Sequence, residues 1–149
     1  MNVALVGSSG YIAGFLLKRF VKENHITKIL SIDQNETSDI YLNLLEPEKF
    51  DYDILNEIDY IVFTAAISGP DKCASDFDLC WSINVIGTSY FIKQAIQRKC
   101  KVLFFSSDAV FGDIPGYIYT ELSETKARTP YGKMKKAIED EFKENTNFK

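Results

Sequence analysis

The chain has 149 residues, of which 46% are hydrophobic and 26% charged, and its net charge is −4. These values are typical of one soluble globular domain, and the lack of a dense basic run argues against a nucleic-acid-binding surface. The single histidine, His25, leaves no Ser-His-Asp triad and little scope for a zinc site.

The predicted elements alternate between strand and helix along the chain. An apolar run at 3–6 predicts the first strand, and apolar residues at helical spacing predict a helix at 11–22. Further strands are predicted at 28–32, 40–44, 60–66 and 102–106. A helical stretch, either one helix or two joined, is predicted at 76–98, and a last helix runs from Pro130 to about residue 144.

Apolar strands separated by helices indicate an α/β fold with a parallel sheet of about five strands and helices on both faces. Because a doubly wound dinucleotide-binding sheet usually has six strands, we expect the chain to be truncated at its C-terminal side. The loop at 112–128 contains Pro115-Gly116 and is predicted to be the most mobile segment.

The cysteines and the N-terminal sequence indicate the cellular compartment of the protein. Cys73, Cys80 and Cys100 form no C-x-x-C pair, and we interpret them as buried thiols of a cytoplasmic protein, with a metal site as the alternative. No basic segment followed by a long apolar stretch opens the chain, so we expect no signal peptide. No run approaches the roughly 20 apolar residues of a membrane span.

A glycine loop, Gly7-Ser8-Ser9-Gly10-Tyr11-Ile12-Ala13, joins the first strand to the first helix. Its spacing is G-x-x-G-x-x-A, followed by Gly14. Glycines at this place let the backbone approach a pyrophosphate, which the helix N-terminus attracts. A plain tight turn is the alternative interpretation.

Asp33 ends the second strand. A carboxylate there can accept hydrogen bonds from the adenosine ribose hydroxyls and repels a 2′-phosphate, which favours NAD over NADP. No arginine lies beside it to favour NADP, although an ordinary loop aspartate is the alternative. The small residues Thr64-Ala65-Ala66, after the fourth strand, leave room for a cofactor, and core packing explains them almost as well.

Tyr131 and Lys135 stand four residues apart in the last predicted helix, so they share one face. A lysine beside a tyrosine is expected to lower the phenol pKa and make it usable as an acid and base near neutral pH. Ser106 and Ser107 end the fifth strand, where a hydroxyl can bond a substrate oxygen or simply form a turn.

Together these residues resemble the extended short-chain dehydrogenase/reductase family, of the NAD-dependent sugar epimerase/dehydratase type. The resemblance spans the whole chain. It rests on the Gly7–Ala13 loop, Asp33, Asn43-Leu44, Thr64-Ala65-Ala66, Asn84-Val85-x-Gly87-Thr88, Ser106-Ser107-x-x-Val110-Phe111-Gly112, Tyr119-Thr120-Glu121 and Tyr131-x-x-x-Lys135.

The resemblance implies a Rossmann-like fold and a set of site residues. The implied catalytic residues are Ser107, Tyr131 as acid/base, and Lys135, which would also hold the nicotinamide ribose. The implied cofactor contacts are Gly7, Ser9, Gly10, Tyr11, Ile12, Asp33, Asn43 and Leu44 at an adenine-contact position, Thr64, Ala65, Ala66, Asn84 on a helix behind the site, Tyr131 and Lys135. Asp108 is the implied substrate contact, and no metal is implied.

Some residues depart from the family pattern. Val6 replaces a threonine, Ala13 a glycine and Met134 a serine, and none of these changes removes a reacting group. Ala109 follows Asp108 where dehydratases carry a glutamate, which makes elimination less favoured than reduction or epimerisation. Family members are much longer, and we expect the substrate domain to be absent, so that 1–149 is the NAD(P)-binding domain.

The resemblance thus implies an NAD-dependent epimerase or keto-reductase acting on a nucleotide-linked sugar. A catalytically incompetent NAD-binding module, sensor or fragment is the alternative, and a reductase of a non-sugar carbonyl stays open. It also implies a homodimer through the helices at 76–98 and 130–144. Five apolar residues there face either a partner or the sheet: Phe91, Ile92, Ile96, Met134 and Ile138.

Overall fold

The structure, a computed structural model, describes residues 1–112, 114 and 116–149, with the backbone alone of Pro70. In this part of the chain five parallel strands form one sheet in the order β3-β2-β1-β4-β5. The strands are β1 Asn2–Val6, β2 Lys28–Asp33, β3 Ile40–Tyr41, β4 Tyr60–Phe63 and β5 Lys101–Phe104. The prediction of a parallel α/β sheet is confirmed.

Five α-helices connect and cover the strands of the described chain: α1 Tyr11–Phe20, α2 Pro70–Ser75, α3 Phe77–Trp81, α4 Thr88–Gln97 and α5 Pro130–Phe142. A π-helical segment, Ser82–Gly87, joins α3 to α4. Short 3₁₀ turns lie at Pro47–Lys49, Tyr52–Glu57 and Asp108–Val110. The stretch expected to be one or two helices at 76–98 is therefore three consecutive pieces.

Apolar side chains cover both faces of the sheet. On one face, Phe91 and Ile92 of α4 and Ile138 of α5 are fully buried in the main core. On the other face, Ala13 of α1 packs with Leu5 and other strand residues in a second cluster. The predicted helix layers on both faces are confirmed, because buried residues of both clusters come from the same strands.

The five apolar residues that were open between a partner and the sheet face the interior. Phe91, Ile92, Met134 and Ile138 are all 0% exposed, and Ile96 is partly buried against the main core. A partner-facing role is therefore wrong for the four residues at 0% exposure, whose burial attaches α4 and α5 to the domain. It stays a prediction for Ile96, which is only partly buried.

Three predicted strands end earlier than expected, and the one expected at 102–106 ends at Phe104. The strand expected at 40–44 ends at Tyr41, and the strand expected at 60–66 ends at Phe63. In both cases the next apolar residues leave the sheet: Leu42 and Leu44 are buried, while Ala65 is half-buried. An apolar run continues past the strand because the residues that follow line a cavity described below.

The last residues of the chain pair with the outer side of β5. Val102 forms a parallel bridge with Phe148. The Val102 N–H donates to the Asn147 carbonyl at 2.7 Å, and the Lys149 N–H donates to the Val102 carbonyl at 2.9 Å. The backbone of β5 is thus hydrogen-bonded along both of its sides, to β4 and to 147–149.

The loop predicted to be most mobile, at 112–128, is described except for Asp113 and Pro115, which lie outside the described residues. Phe111 and Tyr119 stack with ring centroids 5.1 Å apart, so aromatic packing holds one side of this loop. The mobility of the loop stays a prediction.

Candidate functional site

The glycine loop leaves β1 and enters α1 at the carboxyl edge of the sheet. Gly7 has a φ of +85°, and a Cβ there would lie 2.5 Å from the Ala65 backbone nitrogen. Only glycine fits, because the turn needs the left-handed region and the chain after β4 lies directly against it. The loop is therefore fixed against the end of β4.

The N-terminus of α1 is open to a ligand. Gly10 is its N-cap and provides no side-chain hydrogen bond, and the first turn carries no acidic residue. The first N–H groups of a helix have no partner within the helix, and together with the helix dipole they attract anions. This end of α1 can therefore receive a phosphate group.

A cavity of about 250 Å³ lies at the carboxyl ends of β1, β2 and β4. Its walls include nine of the fourteen residues predicted to contact a cofactor: Gly7, Ser9, Gly10, Asp33, Asn43, Leu44, Thr64, Ala65 and Ala66. Residues from four separate parts of the sequence thus meet at one sheet edge. The other five, Tyr11, Ile12, Asn84, Tyr131 and Lys135, are not part of this wall.

Asp33 is held at the cavity rim by three hydrogen bonds. Its Oδ2 accepts from the Ser9 N–H at 3.0 Å and from the Ser9 hydroxyl at 2.9 Å, and its Oδ1 accepts from the Asn35 N–H at 3.2 Å. The carboxylate therefore faces the glycine loop. The Ser9–Asp33 bonds could not be read from the sequence, because the two residues are far apart in the chain.

The cavity wall formed by Asn43 and Leu44 is packed closely against the π-helical segment. A Cβ on Gly87 would overlap the carbonyl oxygen of Leu44, so only glycine allows this approach. The neighbouring Asn43 accepts a hydrogen bond from the Leu45 N–H at 3.0 Å, which shapes the turn after β3. Gly87 belongs to a motif that the sequence shows, but the motif does not reveal this packing role.

Asn84 is buried behind the cavity. Its amide side chain accepts from the Ile67 N–H at 2.8 Å and donates to the Ile67 carbonyl at 2.9 Å. Ile67 itself lies in the cavity wall. Asn84 therefore fixes the chain after β4, and the structure places it as a support for the wall.

Tyr11 and Ile12 lie outside the cavity. Tyr11 is 84% exposed and packs edge to face on Phe15, and Ile12 is half exposed. Their backbones belong to the first turn of α1. Any contact that they make with a ligand at this helix end would come from the main chain.

Lys135 is the most deeply buried charged residue of the described chain, at 3% exposure. Its Nζ donates to the Phe105 carbonyl at 2.7 Å and lies 4.4 Å from the Phe104 ring centroid. Burial lowers the Lys135 pKa to about 8, and nearby Glu139 partly opposes the shift. The amine is thus anchored at the carboxyl end of β5.

Tyr131 lies one helical turn from Lys135, whose Nζ is 5.8 Å from the Tyr131 ring centroid. The expected lowering of the Tyr131 pKa by this lysine is not what the structure gives. Burial raises the Tyr131 pKa, and the neighbouring Cys73 thiol adds to the rise. The reason is geometric: the ring is half-buried, and the Lys135 ammonium is committed to a backbone carbonyl.

Ser107 caps the 3₁₀ turn that follows β5. Its hydroxyl accepts from the Ala109 N–H at 3.2 Å and donates to Asp108 Oδ1 at 3.2 Å, while Asp108 itself is exposed. The turn-forming alternative for this serine therefore holds in this structure. Its hydroxyl proton would have to rotate away from Asp108 to bond another oxygen.

Gly132 lets α5, the helix of Tyr131, pack against the 3₁₀ turn that Ser107 caps. A Cβ on Gly132 would overlap the carbonyl oxygen of Ala109, so α5 can approach the turn only with glycine at this place. The Thr129 hydroxyl caps α5 by accepting from the Gly132 N–H at 3.1 Å. Gly132 thus sets the spacing between Tyr131 and Ser107, a role that the sequence alone does not reveal.

Two further observations concern other classes of site. Within the described ranges, no group of three or more His, Cys, Asp or Glu side chains is arranged to hold a metal ion. None of the helices described is long and apolar enough to cross a membrane.

The comparisons with known proteins decide the family. The model of the NAD dependent epimerase/dehydratase family matches residues 3–146. The chain belongs to this family. The family resemblance drawn from the sequence motifs is confirmed.

Relatives of this epimerase/dehydratase chain include a UDP-glucose 4-epimerase of Mycoplasma genitalium, 30% identical over 90% of the chain and 45% of that protein. Among solved structures, MoeE5 in complex with UDP-glucose and NAD has a TM-score of 0.83 at 21% identity, covering 99% of the chain and 51% of MoeE5. A dTDP-4-dehydrorhamnose reductase of Clostridium acetobutylicum has a TM-score of 0.80 at 24% identity, with the same two shares. The chain spans about half the length of these proteins.

Proposed function

We propose that residues 1–149 form the cofactor-binding domain of an NAD-dependent epimerase or keto-reductase that acts on a nucleotide-linked sugar. The observation that carries the proposal is the cavity at the sheet edge, whose walls include nine of the residues expected to contact the cofactor. Family membership supports the reaction class. The UDP-glucose and NAD bound to MoeE5, and the name of the Mycoplasma relative, support the substrate class.

The residues present fit a dinucleotide. The uncapped N-terminus of α1 suits the pyrophosphate, and Asp33 offers a carboxylate to the adenosine ribose. Leu44 and Ala66 give the cavity an apolar wall for a flat base. Because a 2′-phosphate would meet the Asp33 charge, NAD is preferred over NADP.

The bound cofactor supplies hydride transfer. In reduction, the Tyr131 phenol donates its proton to the carbonyl oxygen of the substrate, and in oxidation the phenolate takes it from the alcohol. The raised Tyr131 pKa keeps the phenol protonated at neutral pH, which suits the donor role. General acid and base help of this kind is worth roughly 10²–10⁴-fold in rate.

Ser107 and Lys135 assist the tyrosine. The Ser107 hydroxyl, released from Asp108, donates to the same substrate oxygen. Lys135 is anchored by the Phe105 carbonyl, where its amine faces the end of β5 and lies one helical turn from Tyr131. Asp108, exposed beside Ser107, contacts the substrate.

Single-turnover measurements test the proposed chemistry. The chain is mixed with NAD and UDP-glucose, and the NADH formed is followed by fluorescence. We expect slow NADH formation by the wild type and a loss of about 10²-fold or more in Tyr131→Phe. Equal rates for the two proteins would contradict the role of Tyr131.

The second candidate is an NAD-binding module without catalysis. The observation in its favour is that the Ser107 hydroxyl and the Lys135 amine are both engaged within the chain. Calorimetric binding of NADH without binding of UDP-glucose, and no NADH formation in the mixture above, would favour the module. Binding of both would favour the enzyme.

A homodimer through the 76–98 stretch also belongs to the proposal. Apolar residues other than those first expected are exposed there: Phe77 stacks on Trp81, and Ile86 is 59% exposed. Sedimentation equilibrium of the wild type and of Ile86→Glu is the test. A dimer that Ile86→Glu dissociates supports the contact, and a wild-type monomer contradicts it.

A further inference from the structure

The Asp33 carboxylate has little free capacity for a ligand in this structure. A carboxylate offers about four hydrogen-bond acceptor positions, two on each oxygen. Oδ2 already accepts two bonds, from the Ser9 N–H and the Ser9 hydroxyl, and Oδ1 accepts one from Asn35. One position remains, on Oδ1.

A ribose with two neighbouring hydroxyls would use one position on each carboxylate oxygen. Resting on the NAD-binding function proposed above, we propose that the Ser9 hydroxyl occupies the Oδ2 position that a ribose hydroxyl takes in the complex. Ser9 is thus an internal competitor of the cofactor. It must turn away before both ribose hydroxyls can bond Asp33.

The backbone bond sets Ser9 apart from a simple positioning residue. The Ser9 N–H donates to the same Oδ2 at 3.0 Å and is unaffected by changes in the side chain. In Ser9→Ala the carboxylate therefore keeps two backbone donors, from positions 9 and 35, and stays oriented towards the cavity. If the Ser9 hydroxyl competes with the cofactor, its removal raises the affinity for NADH. If the hydroxyl only orients Asp33, its removal lowers that affinity.

The test is NADH affinity, measured by calorimetry on the intact chain. Ser9→Ala should bind NADH about fivefold more tightly than the wild type, since one net hydrogen bond is gained by the ligand without displacing another. Ser9→Thr keeps the hydroxyl and should not show this gain in affinity. Weaker or unchanged binding by Ser9→Ala would overturn the competitor role.

The chain offers a matched control. Ser31 donates its N–H at 2.8 Å and its hydroxyl at 2.7 Å to Asp39 Oδ2, the same arrangement as Ser9 with Asp33 but outside the cavity wall. Ser31→Ala should leave the NADH affinity unchanged. A gain as large as that of Ser9→Ala would show a general effect of removing such a bond and would overturn the inference.

Nucleotide analogues locate the effect at the ribose. The tightening in Ser9→Ala should appear with ADP and disappear with 2′,3′-dideoxy-ADP, which has no ribose hydroxyl to take the vacated position. A tightening with both nucleotides would overturn the inference while leaving cofactor binding intact. No NADH binding by any of the proteins would overturn the proposed function and this inference together.

Discussion

Lys135 gives the stability of this domain a specific pH dependence. Its pKa is about 8 in the folded chain, against an ordinary 10.5, because burial disfavours the ammonium form. Between these two values the unfolded chain binds more protons than the folded chain, so stability rises with pH. Below pH 8 burial of the Lys135 ammonium lowers the free energy of unfolding by its full amount. Above pH 10.5 the amine is neutral in both states, and this loss of stability disappears.

The size of the effect follows from the two pKa values. The penalty is about 3 kcal/mol at pH 7 and falls below about 1 kcal/mol at pH 10. Lys135→Met removes the ionisable group while keeping a side chain of similar length. It also leaves the Phe105 carbonyl without its donor, at a cost of about 1–3 kcal/mol that does not depend on pH.

Urea unfolding of the wild type and Lys135→Met at pH 7, 8, 9 and 10 measures the difference. We expect the wild type to gain about 2–3 kcal/mol relative to the variant between pH 7 and pH 10. Lys133→Met, at an exposed position of the same helix, is the control and should show a constant difference. A difference for Lys135→Met that is constant within about 1 kcal/mol would contradict a lowered Lys135 pKa in the folded chain.

Four further substitutions test packing and acid stability. Gly132→Ala should destabilise the domain by about 1–3 kcal/mol, because its Cβ meets backbone. Gly14→Ala, with open space at its Cβ, should stabilise it by about 0.5–1 kcal/mol; thermal unfolding that ranks them oppositely contradicts both. Asn84→Ala should cost about 2–4 kcal/mol in urea unfolding, since both polar backbone atoms of Ile67 lose their partner, and a loss under about 1 kcal/mol would contradict that support. Hydrogen bonds from a serine lower the Asp39 pKa, so the wild type should lose its stability advantage over Asp39→Asn as the pH falls below 3.8; an advantage that persists in acid would argue otherwise.

The sheet and its order of elements were predictable because buried parallel strands appear as short apolar runs. The prediction erred where the same apolar character serves another purpose. Leu42 and Leu44 extend the run of β3, yet they leave the sheet, and Leu44 enters the cavity wall. The local sequence does not distinguish a strand residue from a buried residue beyond the strand.

The helical stretch at 76–98 shows a similar limit. Its residues are compatible with one continuous helix, but the π-helical turn at Ser82–Gly87 widens the backbone where Asn84 bonds Ile67 and Gly87 touches Leu44. Both contacts join residues distant in sequence. Tertiary packing decides this turn, and propensity alone could not reveal it.

The sequence predicted which residues meet at the cavity better than it predicted the pKa values of the site residues. Loop glycines and Asp33 occur at sequence positions that the topology brings to one sheet edge. The pKa of Tyr131 was predicted in the wrong direction, because the spacing to Lys135 was visible while the burial of both side chains was not. Charge effects depend on burial, which only the folded structure supplies.

We infer that the cavity beside Asp33 binds NAD rather than NADP. Calorimetric titration of the wild type and Asp33→Asn with NADH and NADPH tests it most directly. We expect the wild type to bind NADH at least about tenfold more tightly than NADPH, and Asp33→Asn to reduce this preference. No binding of NADH, or equal binding of the two cofactors by the wild type, would contradict it.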